Sequence, residues 1–309
     1  GVGAAAFVGL RLSRNLAGAA PGVALGPGAL MLASVLALLP AGLLEGLSFP
    51  IACEASSRAG LKRPVAAVYV AEGAGSFAGG LAFTFIAAGL LPQAGLAACA
   101  CLFISLAAAL MRPAKLPAIA TAAFAATVLF SGPLDAHLAR VRWESLGAGE
   151  LLASVDTRYQ NLCVARSGGQ IDFSASGVYL FSFPDYPDAL IEAAAVAAQN
   201  PGGRRALVLG ASPEVASRLS RWFEEVTFVE LDPGLLKLLA RYAPEATGSG
   251  IKIVAGVDGR RWLDATDERF DLILCTPGDP STVASGRYFT EEFFRLAASR
   301  LSAGGVFAT

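Results

Sequence analysis

The chain has 309 residues, 54% of them apolar and 16% charged, where an ordinary soluble domain carries about 25% charged residues. Its formal net charge of −1 divides into +4 over residues 1–132 and −5 over the remainder. These figures exclude a single soluble domain, a disordered chain, a collagen-like chain and a disulfide scaffold, and the near-neutral balance without a basic run argues against a nucleic-acid binder.

The first half is read from its charge-free runs. Residues 15–44, 73–111 and 116–134 contain no Asp, Glu, Lys or Arg. A spanning helix needs roughly 20 mostly apolar residues, so membrane spans are predicted near 29–52, 66–90, 94–111 and 117–133. Residues 1–10 read as the tail of a further helix. Without a starting Met or a basic leader they do not read as a signal peptide. Gly75 and Gly79 form a GxxxG pair suited to close helix packing in lipid. Glu45 and Glu72 fall at membrane depth, where a carboxyl is a functional candidate by default. Glu72 is equally a packing residue, and Glu45, between Pro40 and Pro50, is read as structural in a broken helix. The loop charges do not decide orientation: Arg58, Lys62, Arg63, Arg112 and Lys115 fall on one side, and Arg11, Arg14, Arg140 and Arg142 on the other.

The cysteines (Cys53, Cys99, Cys101, Cys163 and Cys275) show no CxxC spacing, and the one histidine, His137, has no ligand pair beside it. No metal site and no histidine-based triad are predicted.

The period changes after about residue 145. Tyr159–Arg166 alternates like a strand, Ser167-Gly-Gly-Gln170 reads as a turn, and Ile171–Phe173 and Val178–Phe183 continue a small β-meander. Pro187 opens an alanine-rich helix to about Gln199, stopped by Asn200-Pro-Gly-Gly203. Strands and helices then alternate. Arg205–Leu209, Val226–Leu231, Ile251–Ala255 and Phe270–Cys275 are the strands. Ser212-Pro213 and Asp232-Pro233 cap the intervening helices, and Thr290–Ser302 is the last one. Such alternation predicts a Rossmann-like parallel sheet. The organisation is therefore a multi-span helical region over 1–134, a linker and meander over 135–185, and a Rossmann-like α/β domain over 186–309. That domain reads as curtailed in its fifth strand, at Val306-Phe-Ala-Thr309.

Parallel sheets bind ligands at the carboxyl ends of their strands. Gly210 follows the first strand. Glu230 ends the second, twenty residues on, the distance at which an acid accepts hydrogen bonds from a ribose. Asp258 follows the third strand, with a turn residue as its plain alternative, and Thr276-Pro-Gly-Asp-Pro280 follows the fourth. Asp232 is read as a helix cap.

These residues resemble the spermidine synthase (polyamine aminopropyltransferase) family, on a class I methyltransferase-like fold. The resemblance rests on Tyr159-Gln160, the strand–turn–helix over 205–223, Val229-Glu-Leu-Asp232, Asp258, Asp279-Pro280 and Phe289-Thr-Glu-Glu-Phe293. Ala71-Glu72-Gly-Ala-Gly-Ser-Phe-Ala-Gly-Gly80 resembles the membrane region of bacterial membrane-fused members.

The resemblance implies aminopropyl transfer from decarboxylated S-adenosylmethionine, a co-substrate, to an amine such as putrescine, with no permanently bound cofactor. Gln160 and Gly210 would contact the donor, Glu230 its ribose and Asp258 its adenine amino group. Asp279 would lie in the active-site loop. Tyr159 and Glu192 would face the amine. The implied partners are a nucleoside, a polyamine and the bilayer, with self-association left open. The implied place is a bacterial-type inner membrane, with the soluble part in the cytoplasm.

Three positions depart from the family pattern. Thr276 stands where the family has its catalytic acid, Ile191-Glu192 where it has Tyr-His, and Gly210-Ala-Ser-Pro-Glu carries one glycine where several are usual. The alternatives are a nucleoside- or polyamine-sensing module tied to a transport-like bundle, and a transferase with another acceptor.

Overall fold

The structure, a computed structural model, describes residues 7, 9, 26–87, 90–111, 114–144, 149–185, 187–210, 212–248, 250–278, 280 and 283–309. The chain divides into two compact units, residues 1–147 and 148–309. The division falls later than the expected 134, because a further helix belongs to the first unit. The meander and the parallel sheet share the second.

In the first unit, α1 is Pro27–Arg58 and α2 is Pro64–Ala82, which continues through a π-helical turn, Phe83–Ala87. Then come α3 (Gln93–Met111), α4 (Lys115–Leu129) and α5 (Ser131–Glu144). Three stretches are long and apolar enough to cross a membrane: Pro27–Arg58, Pro64–Ala87 and Gln93–Leu110. They coincide with three of the predicted spans. The expected break in the first is absent, since α1 runs through both Pro40 and Pro50. Each proline removes one helical donor, and the turns between them keep theirs. The fourth predicted span is bent instead: α4 ends at Leu129, and α5 leaves at 75°. Pro133 explains the bend, because it has no N–H for the carbonyl of Leu129, four residues back, and its ring crowds that carbonyl.

The large side chains of α1 and α2 point outward: Leu36, Leu43, Ile51 and Phe77 are each at least 60% exposed. Close packing occurs elsewhere than the GxxxG pair. A Cβ at Gly95 of α3 would come within 2.8 Å of Ser131 Oγ in α5, whereas nothing lies within 4 Å of one at Gly75 or Gly79. Glu45 and Glu72 are both exposed. The expected helix at residues 1–10 lies almost entirely outside the described residues.

The second unit opens with a four-stranded antiparallel meander in chain order: β1 (Glu150–Asp156), β2 (Asn161–Ser167), β3 (Gln170–Ala175) and β4 (Val178–Phe183). Strand β1 escapes the sequence reading because its register shifts between Leu151 and Ala153. A bulge places two residues opposite one and breaks the period-2 alternation.

After α6 (Asp188–Ala197) come β5 (Arg205–Leu209), α7 (Pro213–Leu219), β6 (Glu225–Glu230) and α8 (Pro233–Tyr242). A 3-10 turn, Pro244–Thr247, leads to β7 (Ile251–Ala255), α9 (Gly259–Ala265) and β8 (Phe270–Cys275). Then follow α10 (Val283–Gly286), a 3-10 turn over Arg287–Phe289, α11 (Glu291–Arg300) and β9 (Leu301–Ala308). Helix α9 is too short, at seven residues, to show periodicity.

The sheet order is β7-β6-β5-β8-β9, and every neighbouring pair is parallel. This is the parallel α/β architecture that the alternation predicts. Strand order reverses beside β5, which opens a crevice at the carboxyl ends of the strands.

Alternating residues of the strands bury both faces. Val208, Phe228 and Leu272 pack with Ala193, Val215 and Leu219, while Leu207, Ile273 and Phe293 pack with Leu263 and Ala297. The meander seats Leu162, Val164 and Phe173 on Leu235 and Leu239 of α8. That packing brings the β1–β2 loop to the end of β6.

Candidate functional site

A cavity of about 300 Å³ opens at these strand ends. Leu209 and Gly210 contribute from β5, and Val229, Glu230 and Leu231 from β6. The meander adds Gln160 and Phe181, while Pro277, Ser285, Arg287 and Tyr288 close it from the segment after β8.

Gly210 has φ +76°, and a Cβ there would lie 2.8 Å from Pro277 Cα. Only glycine meets both demands without strain. Thr276 N–H donates to Leu209 O at 3.0 Å, which extends the β5–β8 pairing and seats Pro277 on Gly210. Thr276 itself is partly buried and stands outside the cavity wall.

Gln160 reaches the wall through a device that sequence reading missed. Thr157 Oγ1 donates to Asp232 Oδ2 at 2.7 Å, and Thr157 N–H donates to Gln160 O at 2.9 Å. Asp232, 2% exposed, also accepts from Gly234 N–H at 2.9 Å as the cap of α8. The predicted cap is therefore also the anchor of the β1–β2 loop. Asp232→Ala removes both contacts and is expected to cost about 1–2 kcal/mol, the scale of a lost cap, and to weaken ligand binding through Gln160. Thermal melting of the detergent-purified chain measures the first effect, and unchanged melting would refute the anchor.

Glu230 accepts from Asp232 N–H at 2.7 Å. Burial, with the charge of Asp232 adding to it, pushes its carboxyl up to about 7 despite the backbone N–H groups that hold it down. It is thus poised to ionise near neutral pH inside the cavity. Burial pushes the Cys275 thiol, at the end of β8, up to about 12. It stays protonated and is no nucleophile. Tyr288 also has its phenol raised, by burial first and then by the charge of Asp258.

The structure brings Gln160, Gly210 and Glu230 together in one wall and leaves other predicted residues out of it. Tyr159 is exposed and lies under Arg158, whose guanidinium carbon is 4.7 Å from the ring centre. Glu192 is an exposed residue of α6, its carboxyl raised by desolvation and by Asp185. Asp258 caps α9 through Arg261 N–H at 2.9 Å and pairs with Arg287, which occupies the wall in front of it. Asp279 lies outside the described residues. Among the described residues, no cluster of three or more His, Cys, Asp or Glu side chains forms a metal site. Of the missed wall residues, Tyr288 had a faint signal in the neighbouring Phe289-Thr-Glu-Glu-Phe293 stretch, and Arg287 had none.

Residues 178–309 match the spermine/spermidine synthase domain family. Two polyamine aminopropyltransferases illustrate the likeness. The protein from Mycobacterium tuberculosis is 29% identical over 273 residues, 79% of this chain and 50% of its own length. The protein from Leptospira interrogans is 29% identical over 175 residues, 53% of this chain and 35% of its own. The chain thus spans half or less of the length of these relatives. The first alignment is longer than the second unit, so the likeness extends into the helical one. Among solved structures, a spermidine synthase with the transition-state analogue AdoDATO is 20% identical, with a TM-score of 0.44, over 51% of this chain and 57% of its own. Spermidine synthase from Thermotoga maritima is 18% identical, with a TM-score of 0.42, over 51% and 56%.

Proposed function

We propose that this chain, spermidine synthase-like over residues 178–309, is a membrane-anchored aminopropyltransferase-like protein. In this reading its second unit holds decarboxylated S-adenosylmethionine across the strand ends and hands the propylamine group to an amine such as putrescine. One observation carries the reading: Gly210 and Glu230, expected from strand-end placement, and Gln160, expected from the resemblance, line one cavity. The ionised Glu230 accepts hydrogen bonds from the two ribose hydroxyls, Gln160 meets the nucleoside, and the 5′ side points toward Gly210 and Pro277.

The donor carbon sits on a positively charged sulfur and is already activated. The amine nitrogen forms its bond to that carbon as the carbon–sulfur bond breaks. The electron pair stays on sulfur as a neutral thioether, and the amine loses its proton to water or a carboxylate. Most of the protein's task is alignment. Thr276 offers neither a base near neutral pH nor a charge for the amine, so that duty falls to Asp279. The three apolar helical stretches, with large side chains turned outward, support the anchor. The nucleoside and polyamine chemistry favours a cytoplasmic second unit at a bacterial inner membrane.

A second reading, a nucleoside sensor without catalysis, is favoured by Thr276 and by Pro277 seated on Gly210. Calorimetry of the detergent-purified chain with decarboxylated S-adenosylmethionine and 5′-methylthioadenosine tests what both readings share. Micromolar binding is expected, and no heat with either ligand would sink both. Spermidine formed from putrescine, and lost in Asp279→Asn, decides for the transferase. Binding without turnover of putrescine favours the sensor or a transferase with another acceptor.

A further inference from the structure

The strand order dictates where each part of a nucleoside lies. Across the sheet run Asp258 after β7, Glu230 at the end of β6, Gly210 after β5 and Thr276 after β8. A nucleoside with its ribose on Glu230 and its 5′ side toward Gly210 has its base at the β7 end. Arg287, the ion-pair partner of Asp258, lines the cavity there, together with Gly259, which follows Asp258 in the chain.

Asp258 itself is not among the lining residues. One carboxylate oxygen takes Arg261 N–H at 2.9 Å and the other pairs with the Arg287 guanidinium. The pair is partly buried, with side chains 36% exposed for Arg287 and 18% for Asp258. Arg287 is also held in place by its neighbours. Arg260 Nη1 donates to its carbonyl at 3.0 Å, and its guanidinium carbon lies 5.4 Å from the Tyr288 ring centre.

A carboxylate recognises a purine by accepting from an exocyclic amine. A guanidinium presents five N–H donors and no acceptor, so it recognises ring nitrogens or a carbonyl. We infer that Arg287, with Asp258 as its counter-ion, is the residue that reads the base of the bound nucleoside, by donating to acceptor atoms of a purine. The inference rests on the nucleoside reading of the cavity. It has a consequence for specificity: a 6-amino group is not required, and a 6-oxo purine nucleoside is accepted as well as a 6-amino one.

The test is calorimetry of the full detergent-purified chain with 5′-methylthioadenosine and 5′-methylthioinosine. The expected result is that the 6-oxo nucleoside binds within tenfold of the 6-amino one or tighter. Arg287→Met is expected to weaken the 6-oxo nucleoside at least tenfold and more than the 6-amino one. Arg287→Lys keeps the charge and the fold but lacks the planar fork, and it should show the same selective loss. A wild-type preference above tenfold for the 6-amino nucleoside, abolished in Asp258→Asn, would overturn the inference and assign the base to Asp258. Equal losses for both nucleosides in the two Arg287 variants would also overturn it, since a brace acts on both alike. Both of those results leave the nucleoside cavity standing. No binding of either nucleoside to the wild type removes the cavity reading and this inference together.

Discussion

The affinity of the chain for 5′-methylthioadenosine is expected to rise about tenfold per pH unit up to pH 7 and to level off above it. The cause is Glu230, whose carboxyl is held up at about 7 by burial in the cavity. Only the ionised form accepts from both ribose hydroxyls, so binding must first ionise the group. Each pH unit below the pKa then subtracts about 1.4 kcal/mol, or roughly 100-fold between pH 5 and pH 7.

The stability of the unliganded chain should run the other way. The folded pKa lies above the unfolded value of 4.5. The contribution is therefore fully present below about pH 4.5 and is lost as pH rises through about 7, by about 3 kcal/mol at most. Glu230→Gln removes the ionisable group and should flatten both trends, leaving weak, pH-independent binding. Calorimetry and melting curves from pH 5 to 8 check this. An affinity that falls with pH, or a pH dependence that survives in Glu230→Gln, would take Glu230 out of the site.

Gly210→Ala is expected to abolish nucleoside binding and to cost about 2–4 kcal/mol of stability. Two effects combine. The residue has φ +76°, a conformation that costs an L-residue about 1–2 kcal/mol. The new Cβ would also lie 2.8 Å from Pro277 Cα and 3.1 Å from Pro277 N, and a backbone neighbour cannot step aside as a side chain can. Relief comes only if the segment after β8 lifts away, and that segment carries part of the cavity wall. Gly278→Ala is the control. Gly278 has φ +79°, but nothing lies within 4 Å of an added Cβ, so it should lose only the conformational part. Equal effects of the two substitutions on melting and binding would show that the Pro277 contact is immaterial.

Much of the second unit was legible in the sequence because its signals are local. Strand–helix alternation, the Ser212 and Asp232 caps and the apolar run Ala206–Leu209 each reflect a rule that acts within a few residues. Strand-end placement then brought Gly210 and Glu230 to one cavity, since parallel strands deliver their carboxyl ends to the same edge, while Gln160, expected from the resemblance alone, arrives from the meander through the Thr157–Asp232 anchor. Strand β1 was lost to a bulge, α9 to its shortness, and the turn at residue 130 to a proline whose effect is directional rather than compositional. Hydropathy located three apolar stretches well, because lipid-compatible length is a property of the segment alone.

The long-range contacts around the cavity are of another kind. Thr157 meets Asp232 across 75 residues, and Arg287 meets Asp258 across 29. In each case the sequence specified only the acid, Asp232 as a helix cap and Asp258 as an acid at a strand end, while the partner came from a distant loop placed by packing of the meander on α8 or by the course of the chain after β8. Local propensity and periodicity act over one or two turns of backbone, so they place an acid at a strand end. Which cation or hydroxyl then stands before it depends on how separate elements pack, and only the tertiary structure decides that.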